Sequence, residues 1–449
     1  MNNNRRTPKL LIVSYVFPPM AAVGVFRVIK MCKFLPQFSW EPSVLTVKEG
    51  FNYAYDHASL EQLDPQLKIF RSYYFSPFEW RDQKQATTSA RTPPAQPKPA
   101  QPGMPAKPSL GGRIKRYLRT MLSLPDGQSF WIPWAVWKGL SAVRKEKINL
   151  VLSTSPPATS HIVAFWISVL SGRPLVLDFR DLWTQNEGYE SRNLPPLFKK
   201  IDRFWEKRAL RRASAIIAAT EGFCNQIKEN NPELDPKKFH PVTNGIDPDD
   251  FAEVRYPTEK NDKFYILHMG SLYGHRNPEF FFKVLTEWQK QRPEITEQVN
   301  CEFIGNTPGY ENALKGQPIE PMVNFRGHIP QKQILQLLWQ ADLLLLILGF
   351  NAQAKKVMPA KLFEYICTGR PILAFVPDGL AAEKIRQYER GLPVTGEDIT
   401  SAVNYLNQQF DSWKNREGAP ESSFALPAEF DRKKQIEKMA EAFNLVLNR

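Results

Sequence analysis

The sequence predicts an α/β protein built from two doubly wound domains, and three observations support this. The chain has 449 residues, which is longer than a single hydrophobic core usually serves. Short apolar runs recur along it, each followed by a turn and a helix-forming stretch, which is the pattern of parallel strands joined by helical crossovers. Hydrophobic residues make up 42% of the chain, so two large cores can form.

The first crossover unit lies at the start of the chain. Residues 9–17 predict a buried strand, residues 18–24 a loop, residues 25–35 a helix, and residues 42–47 a second strand. Ligands of such sheets lie at the carboxyl ends of the strands, so this loop is expected to border a site. Gly24, which ends the loop, is a point where the backbone can approach a phosphate closely.

Later elements follow in the same alternating order. We predict domains at 1–255 and 256–428, followed by a terminal helical segment at 429–449. The predicted strands of the first domain are 149–153, 175–179 and 215–219, its helices are 161–170 and 197–212, and the strands of the second domain are 264–269, 301–304, 323–325, 343–348 and 372–376. An amphipathic helix is predicted at 430–447.

Residues 83–112 interrupt the first domain with a different composition. Proline recurs there among alanine, glutamine, lysine, serine and threonine. Such a composition cannot bury enough apolar surface to offset its chain entropy, so we predict a disordered insertion. It can act as a plain spacer loop or recruit a proline-binding partner.

The net charge of +13 narrows the classes of partner. A strongly basic protein suits nucleic acid, an anionic membrane surface or a phosphorylated substrate. Because no nucleic-acid-binding motif accompanies the cations, we expect no nucleic-acid partner. The basic stretch 113–119, followed by Trp131, Trp134 and Trp137, is typical of an interfacial membrane patch. Alternatively, the tryptophans pack in the core and the cations form a solvated face.

The cysteines and the apolar runs bear on the compartment. The cysteines lack metal-ligand spacing and are predicted to be buried thiols in a reducing compartment; they are Cys32, Cys224, Cys301 and Cys367. No apolar run reaches membrane-spanning length, and the first residues do not read as a signal peptide. We therefore expect a cytoplasmic protein, peripheral on the inner face of the cell membrane.

Residues 358–375 carry the clearest candidate site. Pro359 at the first helical position, a stop at Gly369 and an apolar strand predict a compact helix-strand unit. It brings helix-start amides together with the cation of Lys361 and the carboxylate of Glu364. Amides and ammonium suit the phosphates of a nucleotide diphosphate, while a carboxylate can accept two hydrogen bonds from ribose. The alternative is an amphipathic helix whose charges face solvent.

This stretch resembles the donor-nucleotide signature of the retaining GT-B glycosyltransferases, the glycosyl transferases group 1 family. Residues 323–330, a leucine-rich helix and residues 341–346 are similar to the family's strand, glycine turn, helix and core strand, and residues 241–247 resemble its interdomain segment. The resemblance implies two Rossmann-like domains facing across a cleft, with the terminal helix packing back on the first domain. It also implies a nucleotide-diphosphate-sugar co-substrate.

The resemblance implies roles for several residues of the second domain. Glu364 would hold the ribose of the donor. Of the family's two cations on the donor diphosphate, one position is Ser271 here and the other is Arg276. Arg276 is expected to neutralise the diphosphate, and Lys361 or His275 to replace the cation that is lost. Where many members carry a glutamate that anchors the transferred sugar, this chain has Lys356.

In the first domain, the position of the family's active-site histidine falls on Arg180, flanked by Asp178 and Asp181. Arg180 is expected to orient the acceptor or the donor phosphate. Asp181 is expected to accept the acceptor's proton or to stabilise the oxocarbenium-like charge of the transition state. Alternatively, Asp178 and Arg180 form a structural ion pair. His161, at a helix start near the same strand ends, is a further catalytic candidate.

No metal or cofactor is expected, because Asp247 and Asp249 are better explained as a turn and a helix start. The predicted function is retaining sugar transfer to an acceptor, a lipid-linked saccharide of bacterial surface-polysaccharide assembly. Two alternatives stay open: a sugar-nucleotide epimerase of the same fold, and a sugar-nucleotide-binding partner without catalysis. Ser271, Lys356 and Arg180 argue for the second alternative.

Overall fold

The computed structural model describes residues 7–22, 24–48, 55–75, 117–186, 189, 192–307, 309–327, 329–419 and 424–448. They form two compact units. The first comprises Met1–Val242 with Ile436–Arg449, and the second comprises Thr243–Gln435. Each unit is built on a parallel sheet with helical crossovers, so the predicted α/β class is confirmed.

The first unit contains a seven-stranded parallel sheet in the order β3-β2-β1-β4-β5-β6-β7. Its strands are β1 (Lys9–Val13), β2 (Glu41–Val47), β3 (Lys68–Ser72), β4 (Leu150–Ser155), β5 (Leu175–Phe179), β6 (Ala215–Ala218) and β7 (Phe239–Pro241). Its helices are α1 (Gly24–Phe34), α2 (Ile132–Glu146), α3 (Thr159–Ser171), α4 (Pro196–Arg212) and α5 (Glu221–Asn230). The strand order reverses direction at β1, as in a doubly wound sheet.

The second unit contains a six-stranded parallel sheet in the order β10-β9-β8-β11-β12-β13. Its strands are β8 (Phe264–Met269), β9 (Val299–Ile304), β10 (Val323–Arg326), β11 (Leu343–Ile347), β12 (Ile372–Phe375) and β13 (Gly391–Val394). Its helices are α6 (Glu279–Gln291), α7 (Ile295–Gln298), α8 (Tyr310–Leu314), α9 (Gln331–Gln340), α10 (Ala360–Cys367), α11 (Leu380–Gln387) and α12 (Ile399–Asn415). The terminal helix α13 (Arg432–Leu447) follows.

Strand β11 shows why the second sheet needs continuous apolar runs. Leu343 and Leu345 pack into one hydrophobic core, whereas Leu344 and Leu346 pack into another. Successive side chains of a strand point to opposite faces, so both faces of this sheet are buried. A strand buried on both sides has no polar alternation, which explains the unbroken leucine run.

The terminal helix α13 belongs to the first unit from Ile436 onward. Its apolar side chains join the core beneath the first sheet, where Phe443 packs edge to face against Trp40 at 5.4 Å between ring centroids. The indole nitrogen of Trp40 also donates to the amide oxygen of Asn444 at 3.2 Å. These contacts give the last helix its place in the first unit.

Residues 243–255 belong to the second unit, although the sequence placed them in the first domain. Ile246 is the physical reason. Its amide donates to the carbonyl of Phe430 at 2.6 Å, and its carbonyl accepts from the amide of Arg432 at 2.9 Å. Its side chain lies in a core of the second unit, so the chain leaves the first unit after Val242.

The predicted tryptophan patch divides into a buried part and an exposed part. Trp131 is buried, and its indole donates to the hydroxyl of Ser72 at 2.7 Å. Trp134 and Trp137 are 47% and 71% exposed. Placing Trp131 at a membrane was therefore wrong, while the other two indoles face solvent. The proline-rich segment 83–112 lies outside the described residues, as do the first four residues of the basic stretch.

All four cysteines are buried and unpaired by disulfides, as predicted. Across the described parts of the chain, no helix combines the length and apolar character needed to cross a bilayer.

Candidate functional site

Loops from three strands of the second unit meet at the carboxyl ends of β8, β9 and β11. Gly270, Gly305 and Gly349 follow these strands with φ values of 113°, 129° and 75°. A Cβ on Gly305 would lie 2.8 Å from the carbonyl of Gly270, and one on Gly349 would lie 2.3 Å from the carbonyl oxygen of His275. Only glycine fits such positions. Neither Gly305 nor Gly349 was predicted from the sequence as part of this site.

Helix α10 brings charged side chains to the same edge of the sheet. It begins at Ala360, directly after the cap residue Pro359, and Gly369 with a φ of 73° follows its end before β12. The predicted helix, stop and strand are confirmed, except that Pro359 precedes the first helical residue. The first amides of a helix have no partner within the helix.

Lys361, in the first turn of α10, is half-buried. Its Nζ donates to the carbonyl of Met269, lies 3.4 Å from His268 Nε2, and occupies the space that a Cβ on Gly270 would need. Burial, reinforced by the nearby charge of Arg276, lowers the pKa of Lys361 from 10.5 to about 7. The ammonium is therefore close to losing its proton at neutral pH.

Glu364 lies one helical turn later and is also half-buried. Burial chiefly raises its pKa from 4.5 to about 8, and Asp250 adds to the effect, whereas Arg432 and Lys361 oppose it. Within the described part of the chain, no hydrogen-bond donor reaches this carboxylate. It is therefore an acceptor whose lone pairs remain available to a ligand.

Ser271 and Arg276 lie in the loop after β8. Ser271 is exposed, whereas Arg276 is half-buried with its guanidinium 5.4 Å from the centre of the Tyr273 ring. The amide of Arg276 donates to the carbonyl of Tyr273 at 3.0 Å, which closes the loop into a tight turn. The structure thus places the loop cation within electrostatic reach of Lys361. Lys356 is exposed at the end of a short 3-10 turn.

Beneath Lys361, a buried polar pair that the sequence analysis missed connects β8 to β11. His268 Nδ1 lies 2.9 Å from the carbonyl oxygen of Leu345. The hydroxyl of Tyr365 accepts from the amide of Met269 at 3.1 Å and donates to the carbonyl of Leu345 at 3.4 Å. A histidine inside a strand that otherwise reads as apolar was the available signal in the sequence.

In the first unit, Asp178 forms an ion pair with Arg27. Both nitrogens of one edge of the guanidinium donate to this fully buried carboxylate, at 2.9 and 2.7 Å. The hydroxyl of Thr154 donates to the same carboxylate at 2.7 Å. The alternative that Asp178 pairs with Arg180 was therefore wrong. Arg27, on α1, reaches across the sheet to β5 and takes that place.

Arg180 connects the loops that follow β1, β4 and β5 at the carboxyl ends of the first sheet. Its guanidinium donates to the carbonyls of Ser155 and Gly24 at 3.1 and 2.6 Å, and to the carbonyl of Pro156. A Cβ on Gly24 would lie 1.9 Å from an Arg180 nitrogen. The need for glycine at Gly24 is therefore explained by Arg180. The donor-phosphate role of Gly24 stays a prediction.

His161 is fully buried at the start of α3. Its Nδ1 lies 2.6 Å from the hydroxyl of Ser153, and its ring packs against Phe179 at 4.5 Å between centroids. Burial lowers its pKa from 6.5 to about 3, so the ring is neutral at physiological pH. Asp181, by contrast, is exposed. The catalytic roles of both residues stay predictions, and only Asp181 is open to solvent.

Asp247 caps a 3-10 turn at Pro248–Phe251, and its carboxylate accepts from the amide of Asp249 at 3.2 Å. The turn predicted for this Asp-x-Asp sequence is confirmed. Among the residues that the structure describes, no cluster of histidine, cysteine, aspartate and glutamate has the arrangement of a metal site.

Comparison with known proteins yields two family matches in succession. The Glycosyltransferase Family 4 model matches residues 87–250, and the Glycosyl transferases group 1 model matches residues 250–423. The chain is 22% identical over 213 residues to TuaH of Bacillus subtilis (strain 168), a glycosyltransferase assigned to teichuronic acid biosynthesis. That match covers 46% of this chain and 51% of TuaH. The chain thus spans about half the length of this relative.

Solved structures show the same fold at low identity. TarM of S. aureus, bound to fondaparinux, α-GlcNAc-glycerol and UDP, has a TM-score of 0.55 at 10% identity over 98% of this chain and 100% of its own. A Listeria monocytogenes protein assigned as a UDP-N-acetylglucosamine 2-epimerase has a TM-score of 0.52 at 12% identity over 97% and 95%. Because the two family models together span most of the chain and the units carry the two parallel sheets expected, the chain belongs to the glycosyl transferases group 1 family of GT-B glycosyltransferases.

Proposed function

We propose that this protein transfers a sugar from a nucleotide-diphosphate-sugar donor to a saccharide acceptor, with retention of configuration. The observation that carries the proposal is the edge of the second sheet, where closely packed glycine loops lie beside two half-buried ionisable side chains, Lys361 and Glu364, whose pKa values are both shifted towards the neutral form. Perturbed pKa values of this kind are typical of functional sites. The neighbour TarM adds support, since it was solved with UDP and saccharide ligands.

In this proposal the second unit binds the donor. Lys361 and Arg276 face the diphosphate and neutralise the charge that grows on it as the sugar leaves. Arg276 can donate to two phosphate oxygens at once, whereas Lys361 acts as a point charge. The carboxylate of Glu364 accepts from the ribose hydroxyls. The charge of the diphosphate would raise the pKa of Lys361 from its value of about 7 and keep it protonated in the complex.

The first unit supplies the acceptor side of the proposed reaction. Asp181 is exposed and lies two residues after the end of β5, so it is the carboxylate we assign to the acceptor's proton or to the positive charge of the sugar ring. Arg180 holds the loops around it in place. We keep His161 as a candidate whose contribution would require exposure of its ring.

For the acceptor we propose a lipid-linked saccharide of bacterial surface-polysaccharide assembly, in line with the similarity to TuaH. An anionic membrane surface is the partner we propose for the exposed indoles of Trp134 and Trp137. Lys138 lies on the same helix, and Leu118 and Met121, on the preceding helical stretch of the chain, are 48% and 41% exposed. Cations beside exposed aromatic and aliphatic side chains favour such a surface. The location we propose is cytoplasmic, at the inner face of the membrane.

The donor site is tested by calorimetric titration of the wild-type protein with UDP, GDP and ADP. We expect one nucleotide to bind selectively and Glu364→Ala to weaken its binding by about 1–3 kcal/mol, the value of a hydrogen bond to a charged group. Glu383→Ala is the matched control, because Glu383 is exposed in the first turn of another helix of the same unit. Absence of binding by all three nucleotides would contradict the proposal.

Turnover separates the proposed function from its two alternatives. Sugar transfer requires both the donor and an acceptor, and mass spectrometry of the product detects it. Conversion of a nucleotide-sugar supplied alone would favour the epimerase, which the Listeria neighbour represents. Selective nucleotide binding without turnover on any acceptor would favour a binding partner without catalysis.

Vesicle sedimentation tests the membrane proposal independently of the donor site. We expect binding to phosphatidylglycerol vesicles, little binding to phosphatidylcholine vesicles, and severalfold weaker binding of the Trp134→Ser, Trp137→Ser double variant. Nucleotide affinity should stay unchanged in that variant. Equal binding of the wild type to both vesicles, or none to either, would remove the membrane from the proposal.

A further inference from the structure

We infer that His268 is a positioning residue of the proposed donor site, which accepts a hydrogen bond from Lys361 and holds that ammonium group above Gly270. The inference rests on the proposed function for the identity of the ligand, a nucleoside diphosphate. The contacts that support it lie wholly within the second unit. They join residues on β8, β11 and α10.

The hydrogen bond to Leu345 determines the tautomer of His268. A carbonyl oxygen can only accept, so Nδ1, at 2.9 Å from it, carries the proton. His268 is 1% exposed, and burial, together with the charge of Lys361, holds its pKa well below 6.5 against the opposing effect of the Leu345 and Gly270 carbonyls. A neutral imidazole has one proton, which leaves Nε2 with a lone pair.

Lys361 supplies the matching donor. An ammonium group has three protons and no lone pair, so the 3.4 Å approach of its Nζ to Nε2 is a contact of donor and acceptor. A second proton goes to the carbonyl of Met269. Gly270 leaves room for the ammonium, because a Cβ there would be 2.9 Å from Nζ. Two acceptors and a missing side chain thus define one position for the cation.

The charges around Lys361 show why this position needs an acceptor. Burial lowers its pKa most, Arg276 lowers it further, and Glu364 alone among the charged groups raises it. Met269 and His268 compensate by accepting from the charged form. Because the pKa is already about 7, losing one acceptor moves Lys361 to a mostly neutral form at physiological pH, and a neutral amine attracts phosphate weakly.

The first test needs no ligand. Acetic anhydride labels unprotonated amines, and mass spectrometry of the labelled peptide reports the titration of Lys361. We expect His268→Phe to lower the pKa of Lys361 by about one unit, since a hydrogen bond to the charged form is lost. His268→Gln keeps an acceptor near the Nε2 position and should restore most of the shift. An unchanged titration in a folded His268→Phe protein would overturn the inference.

The second test measures UDP affinity against pH. The loss caused by His268→Phe should grow from about twofold near pH 6 to about tenfold near pH 8, because the variant loses the Lys361 proton about one unit earlier. In a Lys361→Met background the same substitution should have no further effect, since the two residues act as one unit. If His268→Phe lowers UDP affinity equally at every pH, and also does so in the Lys361→Met background, the role of His268 is merely structural.

The tautomer can be read in the wild type, in case His268→Phe fails to fold. The chain has six histidines, so nitrogen-15 labelling of histidine gives a small set of ring signals. We expect one ring with a protonated Nδ1 and a bare Nε2 at every pH above 6; a protonated Nε2 would overturn the inference. If UDP, GDP and ADP all fail to bind but the Lys361 titration still shifts in His268→Phe, the proposed function fails while the positioning role stands.

Discussion

The polar groups at the strand ends of the two units differ in what neutralises them. In the first unit, Asp178 is enclosed by Arg27 and Thr154, and Arg180 donates to main-chain carbonyls. In the second unit, Lys361 and Glu364 are half-buried, and burial favours the neutral form of each side chain. It lowers the pKa of Lys361 to about 7 and raises the pKa of Glu364 to about 8. One set of charges is compensated within the protein, and the other set is only partly compensated.

This difference separates charged groups that stabilise the fold from charged groups that can bind a ligand. A buried charge with complete partners holds elements together, because removing one partner exposes the other to a large desolvation penalty. A partly compensated charge is stabilised when a ligand of opposite charge or a hydrogen-bond donor binds beside it. The second unit therefore carries the stronger structural case for a ligand. In the first unit the case for a ligand depends on the exposed Asp181, whereas the buried ion pair of Arg27 and Asp178 stabilises the fold.

The largest effect is expected from breaking the pair in the first unit. Asp178→Ala leaves the guanidinium of Arg27 buried without its carboxylate, which should lower the free energy of unfolding by about 3–5 kcal/mol. Urea denaturation followed by tryptophan fluorescence measures it. The Arg27→Met, Asp178→Leu double variant is the control and should lose less, because it leaves no buried charge. A loss below about 1 kcal/mol in Asp178→Ala would contradict the framework role.

The next effect concerns the glycine loops of the second unit. Gly349 and Gly316 both have a φ of 75°, but a Cβ on Gly316 would meet nothing within 4 Å. Gly316→Ala should therefore cost only the left-handed strain of about 1–2 kcal/mol. Gly349→Ala should cost about 2–4 kcal/mol, because the Cβ must also displace the carbonyl of His275.

The same pair of variants sharpens the comparison through binding. His275 precedes Arg276, so its displacement moves the loop cation. We expect Gly349→Ala to lower UDP affinity about tenfold, or about 1.4 kcal/mol, and Gly316→Ala to leave it unchanged. Calorimetry on both variants checks this. Equal affinities would show that the loop after β8 takes no part in the donor site.

Local sequence patterns predicted much of this architecture. The strand at Phe264–Met269 matches its predicted bounds, and the unit that carries Lys361 and Glu364 was read from consecutive residues. The missed strands β3, β7 and β13 are short or irregular: β3 is exposed at its first residue, β7 has three residues, and β13 contains glycine and proline. Each becomes a strand through its neighbour in the sheet, which the local pattern does not contain.

Pairings between distant residues could not be predicted in the same way. Arg27 and Asp178 are 151 positions apart, and His268 and Lys361 are 93 positions apart. Nothing in the sequence around Asp178 indicates that its partner is Arg27. Arg180, two residues away, is therefore the partner that the sequence offers as one alternative. Gly305 and Gly349 are needed because of backbone that belongs to other loops. Such requirements exist only once the sheet has been assembled.

The smallest effect tests whether Glu364 reduces the stability of the unit that holds it. Its pKa is raised from 4.5 to about 8, so between those pH values the folded protein retains a proton that the unfolded chain has released. Folding stability must then fall as the pH rises through this window. Glu364→Gln removes the ionisable group and should raise the free energy of unfolding by about 1–2 kcal/mol near neutral pH, after allowance for partial exposure.

Thermal unfolding of wild type and Glu364→Gln across this pH range measures the effect. The two curves should converge toward pH 4.5, where the wild-type carboxyl is protonated in the folded state, and separate as the pH approaches 8. Glu383→Gln, at an exposed position, is the control. A stabilised Glu364→Gln protein that no longer binds the nucleotide would mean that the second unit keeps a destabilising carboxylate because its ligand needs it. A difference independent of pH would instead place Glu364 with the compensated charges of the first unit and remove the contrast between the two sites.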